Sequence, residues 1–404
     1  MGAVTPVGLS VETMWKAMLE GKNGIAPITR FDTENFKAKL AAEVKDFDPR
    51  AYLDKSELNR TDRFAQYALA AAAEAVAQSG VIGTLAPERV GVYFGSGIGG
   101  LETLSTEYKK LMEKGPRRVS PYFVPMMISN IASGMIAIKY DCQNGAMPSV
   151  TACASGSNAI GEALRAIRHG YADAVIAGGA EASITEIGVA GFINMQALTT
   201  ADDPDAASLP FDKRRAGFVI GEGAGCLVLE EYEHALSRGA EILAEVAGYG
   251  STCDAYHITA PRPDAAGGAR AMKDAMAEAG YADADVVYVN AHGTGTPLND
   301  AAETVAIKTA LGGAAKDASV SSTKSMTGHM LGAAGAVEAI ACVLALRDDV
   351  VPPTINLLEI DPACDLDVTP LFAKKRELTL AISNSFGFGG HNACLAFRGA
   401  PGRQ

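Results

Sequence analysis

The sequence predicts an α/β protein built from two similar halves. Three observations carry that prediction: a long-period repeat of ordered elements, apolar β-branched runs alternating with helical patterns, and glycine-rich turns where those runs end. Strands that read as near-continuous apolar runs are buried on both faces, so helices must cover the sheets.

In the first half, the helical pattern FAQYALAAAAEAVAQSG (64–80) stops at Gly80 and is followed by the strand-like RVGVYF and the turn GSGIGG. In the second, GGARAMKDAMAEAG stops at Gly280 and is followed by ADVVYVN and the turn AHGTGT. Further on, PSVTACASG and its helix correspond to ASVSSTKSMTGHMLGAAG and its helix. The runs ADAVIAGGAE and GAGCLVLEEY then correspond to LTLAISNSFGFGG and HNACLAFRG. The halves meet near residue 240, giving units of 1–240 and 241–404. Residues 101–147 have no counterpart of similar length and read as an insertion that builds a substrate or partner surface. The second half opens with the strand-like EILAEVAGYG (241–250), whereas the first opens directly on the turn GAVTPVG. The repeat therefore predicts a vacant strand position in the first half, about eight residues long.

The chain of 404 residues, 48% hydrophobic and 20% charged, has ample length for large buried cores. A net charge of -12 argues against nucleic acid as a partner, while leaving room for local basic patches such as GPRRVSP. No apolar run approaches the ~18 residues of a membrane span, and no basic segment precedes an apolar stretch at the N-terminus. The seven cysteines are odd in number, form no C-x-x-C pair and lie in no Cys/His cluster of zinc spacing. Neither a disulfide framework nor a metal site is expected, and the compartment is expected to be the reducing cytoplasm, a processed organellar form being the alternative.

Chemistry concentrates on four loop ends. In SVTACASGSNAIGEAL, Cys153 sits among very small residues at the start of a helix, where unpaired N–H groups and the positive dipole end favour a thiolate. A free cysteine more often packs as a small hydrophobe. Two of the six histidines, His292 and His329, lie on loops after strands, flanked by glycine and threonine, at the same topological end as Cys153. His169, His234 and His257 lie in segments with no other catalytic feature.

Together, TACASG, NAHGTGTPLND, SSTKSMTGHMLGAAGA and NSFGFGGHN resemble the β-ketoacyl-acyl-carrier-protein synthases, most closely the elongating type II enzymes of fatty-acid synthesis. The resemblance spans essentially the whole chain, including GSGIGG, PFDKRRAGFVIGEGAG and VPPTIN. It implies the thiolase-like fold of two βαβαβαββ halves, a homodimer, and a decarboxylating Claisen condensation of acyl and malonyl groups delivered on acyl carrier protein. Phosphopantetheine would arrive on that carrier, and no cofactor would be tightly bound. Cys153 would be the nucleophile, and His292 and His329 the donors to the enolate. The backbone N–H groups of Cys153 and Phe388 would form the hole for the acyl intermediate.

Lys324 matches the family's lysine, either tuning the pocket's electrostatics or holding Glu303 in an ion pair. Asp300 and Glu303 are expected to orient rather than react. Thr294 and Thr296 would meet phosphopantetheine, and Ile98, Phe192 and Phe388 would line or gate the acyl pocket. Arg117, Arg118 and Arg215 match basic positions near its entrance and are expected to dock the acidic carrier. A type II polyketide ketosynthase uses the same residues and is the nearest alternative. A dinucleotide-binding protein is the alternative from another class, because GSGIGG fits G-x-G-x-x-G, although no acidic strand end follows at the required distance.

Overall fold

A computed structural model describes residues 1–400, so the last four residues of the unit 241–404 lie outside the described residues. Two five-stranded sheets carry the fold. In the first half β1 (Gly2–Val4), β2 (Val90–Gly95), β3 (Ala146–Met147), β4 (Ala174–Glu181) and β5 (Gly223–Glu230) are arranged in the order β1-β5-β4-β2-β3. In the second, β6 (Ala244–Cys253), β7 (Val287–Asn290), β8 (Ser319–Ser321), β9 (Leu380–Gly387) and β10 (His391–Gly399) follow the same order, β6-β10-β9-β7-β8. The directions repeat too: β2 is parallel to β3 and β4 as β7 is to β8 and β9, and β5 is antiparallel to β1 and β4 as β10 is to β6 and β9.

Helices α1 (Arg63–Ser79), α2 (Ser155–Arg168), α3 (Ala266–Glu278) and α4 (Ala334–Asp348) occupy two kinds of position. α1 covers the outer face of the first sheet and α3 that of the second, while α2 and α4 lie between the sheets and touch both. Every residue of α4 from Ala334 to Leu346 is buried. That suits a helix apolar all round, and each of Val337, Ile340, Val343 and Leu344 contributes about 1.5–3 kcal/mol by leaving water. The outer helices approach so closely that no side chain fits at certain strand positions. A Cβ on Gly2 would stand 2.0 Å from the Ala71 carbonyl oxygen of α1, and one on Gly250 would stand 1.9 Å from that of Ala271 in α3. α1 is bounded as its sequence predicts: Asp62 accepts from Phe64 N–H at its start, and Gly80 closes it in the left-handed conformation.

The long connection from β2 to β3 carries helices at Leu101–Lys114, Phe123–Met127 and Ile131–Tyr140, whereas β7 and β8 are joined by the single α-helix Pro297–Leu311 and a short 3₁₀ turn. The turn GSGIGG lies at the start of this connection. Its Gly97 and Ile98 N–H groups donate to the buried Glu181 carboxylate, leaving them unavailable to a pyrophosphate, which removes the dinucleotide reading.

The expected vacant strand position is not vacant. β1 fills it, antiparallel to β5, so the first sheet has all five strands. It is short, however: three residues pair with Ala224–Cys226, while β6 runs ten residues along the whole of β10. Among the described residues no strand pairs with the outer edge of Leu227–Glu230, and a cavity of about 840 Å³ follows that edge, bordered by Met1, Leu164, Leu229, Val246 and Phe397. An extended apolar segment of about eight residues joined ahead of Met1 is expected to continue β1 along this edge. It should raise the melting temperature by several degrees and slow amide exchange at Leu227–Glu230. Unchanged values for both would show that the groove takes no strand.

Candidate active site

The start of α2 is shaped by a strained turn. Ala152 is held at φ 51°, followed by the 3₁₀ turn Ala152–Ala154 and then the helix. Ser155 Oγ pins this turn, accepting from Thr151 N–H at 2.9 Å and donating to the Ala152 carbonyl at 2.7 Å. The second half repeats the device: Leu331 is held at φ 46°, followed by the 3₁₀ turn Leu331–Ala333 and α4. A non-glycine residue in this region costs about 1–3 kcal/mol, and such costs persist where a site requires them. Cys153 stands on the first turn, Gly332 takes its place on the second, and His329 lies two residues ahead of Leu331.

The two turns and the loop after β7 converge on one cavity of about 380 Å³, whose walls include Cys153, His292, His329, Phe192, Phe218 and Phe388. One ligating atom from each of Cys153, His292 and His329 lies within 4.8 Å of the other two. The imidazoles meet edge to face, ring centres 5.2 Å apart, with Phe218 against His329 and Phe386 against His292. Thr294 and Thr296 line the same cavity and hydrogen-bond each other at 2.9 Å.

His329 is fixed through its backbone. Its N–H donates to the Val219 carbonyl at 2.7 Å and its carbonyl accepts from Gly221 N–H at 2.8 Å. Its Nδ1 accepts from Leu331 N–H at 3.3 Å, so the ring proton resides on Nε2, which is buried and has no partner. His292 is held by Glu303, which accepts its N–H and that of Gly293, both at 2.7 Å. Burial, followed by the charge of Lys324, holds both imidazoles well below the usual histidine range, so both are neutral at pH 7. Three such ligands have a spacing that a metal ion would accept, but the second contacts do not suit one. A metal-bound histidine donates its other N–H to an acceptor. Here His329 Nδ1 faces a donor and the buried His292 Nδ1 faces no acceptor. The arrangement offers a hydrogen-bond donor to a ligand in the cavity.

The expected thiolate preference of Cys153 is overturned. Burial pushes the thiol up to about 12, which outweighs the lowering by Lys324 and by the N–H groups of Phe388 and Cys153 itself. Those two N–H groups nevertheless point at the sulfur, where an oxyanion would form beside it.

Lys324 pairs with Glu338 of α4, not with Glu303, and both are buried. Asp300 accepts from Phe211 N–H at 2.8 Å and from Gly295 N–H, an orienting arrangement like that of Glu303. Ile98 is 37% exposed and lies outside the cavity walls. Arg117 and Arg118 are exposed on the turn after the helix Leu101–Lys114. Arg215 leaves the docking set: it is 9% exposed, and its guanidinium is taken up by Asp361 at 2.6 Å and by the carbonyls of Asp212, Thr296 and Pro297.

Sequence reasoning missed Phe218, Phe386, Glu181 and Glu338. Glu338 carried a signal, being the only charged residue in the run GAAGAVEAIACVLAL. Glu181 ends an apolar strand and accepts five hydrogen bonds.

Comparisons with known proteins follow this geometry. The family models described as "Beta-ketoacyl synthase, N-terminal domain" and "Beta-ketoacyl synthase, C-terminal domain" match residues 1–235 and 243–358. The 3-oxoacyl-[acyl-carrier-protein] synthase 2 of Staphylococcus aureus is 52% identical over 399 residues, covering 98% of this chain and 99% of that protein. Among solved structures, the ishigamide ketosynthase/chain length factor superposes with a TM-score of 0.92 at 38% identity, over 99% of this chain and 97% of the other. A type II polyketide ketosynthase bound to its acyl carrier protein superposes with a TM-score of 0.90 at 32% identity, over 99% and 98%. With both domain models matched in order and a relative identical at half its positions over nearly the full length, the chain belongs to the β-ketoacyl synthase family, with its thiolase-like fold.

Proposed function

We propose that the protein elongates fatty acids as a β-ketoacyl-acyl-carrier-protein synthase. The observation that carries this reading is the convergence of Cys153, His292 and His329 within 4.8 Å of one another in one cavity. A neutral imidazole beside the thiol takes its proton as the sulfur attacks the acyl thioester, and that proton leaves with the phosphopantetheine thiol. The N–H groups of Cys153 and Phe388 hold the tetrahedral oxyanion. Malonyl carrier protein then places its thioester oxygen against the histidine pair, carbon dioxide departs, and the enolate carbon attacks the acyl group on Cys153; the C–S bond breaks, and the Cys153 sulfur leaves as a thiolate that takes up a proton to restore the resting thiol. His329 Nε2–H donates to the enolate oxygen as its charge develops. Thr294 and Thr296 receive the phosphopantetheine arm, the protein itself holding no resident cofactor. Phe192 and Phe388 border the acyl chain.

A type II polyketide ketosynthase is the second reading, supported by the structural neighbour of that kind at 32% identity. The 52% identity to a 3-oxoacyl-carrier-protein synthase supports the fatty-acid reading above it. A homodimer fits the first sheet's β3 edge, where Met147 and the nearby Val150 are exposed beyond half of their area; a second copy pairing there would cover both. No helix among the described residues is long and apolar enough to cross a membrane. All seven cysteines are free thiols, the state that a reducing cytoplasm maintains.

Three outcomes test this reading. Cys153→Ala should abolish acylation and condensation while retaining malonyl decarboxylation, and His329→Ala should retain acylation while losing carbon dioxide release. Mass spectrometry of the acyl-enzyme and a carbon dioxide assay read the two steps. Normal condensation by Cys153→Ala would sink the mechanism.

Burial, with the Lys324 charge behind it, keeps the base neutral, so acylation should persist below the ordinary histidine range near pH 6.5. In Lys324→Met/Glu338→Gln the histidine pKa values rise, and the acid limb of the acylation profile should move to higher pH. An unmoved limb would remove Lys324 from the electrostatics.

Arg118→Glu should raise KM for carrier-bound substrate several-fold and leave a small thioester unaffected, the difference shrinking at high salt. Equal effects on both substrates would reject docking at this turn.

A further inference from the structure

We propose that Glu181 is a positioning residue that holds His329 in its donor tautomer, acting through Gly332 and Leu331; this rests on the ketosynthase reading above. Glu181 ends β4 in the first half and is wholly buried. Its Oε2 accepts from Gly97 N–H at 2.8 Å and reaches across to the second half to accept from Gly332 N–H at 3.1 Å. Its Oε1 accepts from Ile98 N–H, Ser96 Oγ–H and Ser183 Oγ–H.

The crossing bond fixes the peptide that matters. Leu331, immediately before Gly332, is held at φ 46°, a conformation a leucine adopts only where its surroundings impose it. In that conformation its N–H points at His329 Nδ1, and this contact is what places the ring proton on Nε2. The packing leaves no slack: a Cβ on Gly332 would stand 2.4 Å from Gly97 N and 2.9 Å from Glu181 Oε2. Without the carboxylate, Gly332 N–H is orphaned in the interior, the turn can relax out of the left-handed region, and Leu331 N–H swings away. His329 would then be free to carry its proton on Nδ1, presenting a lone pair to the enolate oxygen instead of a donor.

Glu181 has a second, opposite effect. Burial is the main cause of the raised Cys153 thiol pKa, and the ionised Glu181 carboxylate adds to it; burial also pushes the Glu181 carboxyl up to about 7, so its removal favours the thiolate above that pH. The two effects give the positioning role a signature that general damage to the site lacks: decarboxylation falls while thiol reactivity rises.

The test uses the full chain. Malonyl decarboxylation is measured in Cys153→Ala and in Cys153→Ala/Glu181→Leu, and iodoacetamide alkylation of Cys153 is measured in Glu181→Leu against the parent. Decarboxylation should fall at least tenfold, and alkylation at pH 8, where the Glu181 carboxyl of the parent is ionised, should quicken at least twofold. Glu181→Gln retains one acceptor oxygen for Gly332 and should recover most of the decarboxylation while keeping the quicker alkylation; it also serves where the leucine variant does not fold. Nitrogen NMR of ¹⁵N-histidine-labelled protein should show the His329 proton leaving Nε2 in Glu181→Leu. This readout needs no turnover, so it stands even where Cys153→Ala shows no decarboxylation and the ketosynthase reading itself has failed. A parallel fall of both reactions, or an unchanged His329 tautomer in Glu181→Leu, would overturn the proposal.

Discussion

The catalytic end of the molecule depends on a cation buried beneath it. Lys324 lies at the foot of the loop that carries His329, and its ammonium is matched by Glu338 on the central helix α4. A buried ion pair gives little net stability, and replacing it by apolar residues is often neutral or favourable. Its value here is directional. After burial, the Lys324 charge lowers the pKa of both imidazoles, and it opposes the desolvation of the Cys153 thiol. One charge thereby adds to the burial that keeps two bases neutral and partly offsets the burial of the thiol, and Glu338 makes its own burial tolerable. Glu338 Oε2 is buried without a hydrogen-bond partner, so the pair is not fully satisfied.

The repeat explains how these groups meet. Each half delivers a strained turn ahead of a central helix, and the two turns face each other because α2 and α4 pack together between the sheets. Equivalent positions then diverge in chemistry. The first turn carries Cys153, while the second carries Gly332, where any side chain would collide with Gly97 and Glu181. The second half instead places its reactive group, His329, two residues before the strained position. The symmetric frame thus supplies two supported loops, and the residues on them make the site asymmetric.

Much of this was legible in the sequence because its signals are local. The repeat order, the helix stop at Gly80 and the placement of Cys153, His292 and His329 at loop ends all follow from periodicity and small-residue patterns. What failed required distance. Arg215 reads as a basic surface residue until Asp361, far along the chain, closes on it. The sequence leaves Lys324 between tuning the pocket and pairing with Glu303; Glu303 is consumed by the His292 and Gly293 N–H groups, and Lys324 finds Glu338 instead. The first strand was read as absent because three residues are too few to show a period, although Gly2 packs against α1 as Gly250 packs against α3.

The dipole argument for Cys153 failed for a physical reason that bears on the reaction. A helix N-terminus stabilises an adjacent anion by about 0.3–1 kcal/mol where exposed and up to ~2 when partly buried. Full desolvation of a thiolate costs more, and the thiol moves up to about 12. A resting thiolate would also be a standing nucleophile toward any electrophile that entered the cavity. A protonated thiol flanked by neutral imidazoles reacts only when a thioester carbonyl is seated to receive the sulfur and a base is ready to take the proton. The N–H groups of Cys153 and Phe388 are then free to receive the oxyanion that develops on the substrate. On this account burial makes the nucleophile selective, and the donors around it act on the transition state in place of the resting enzyme.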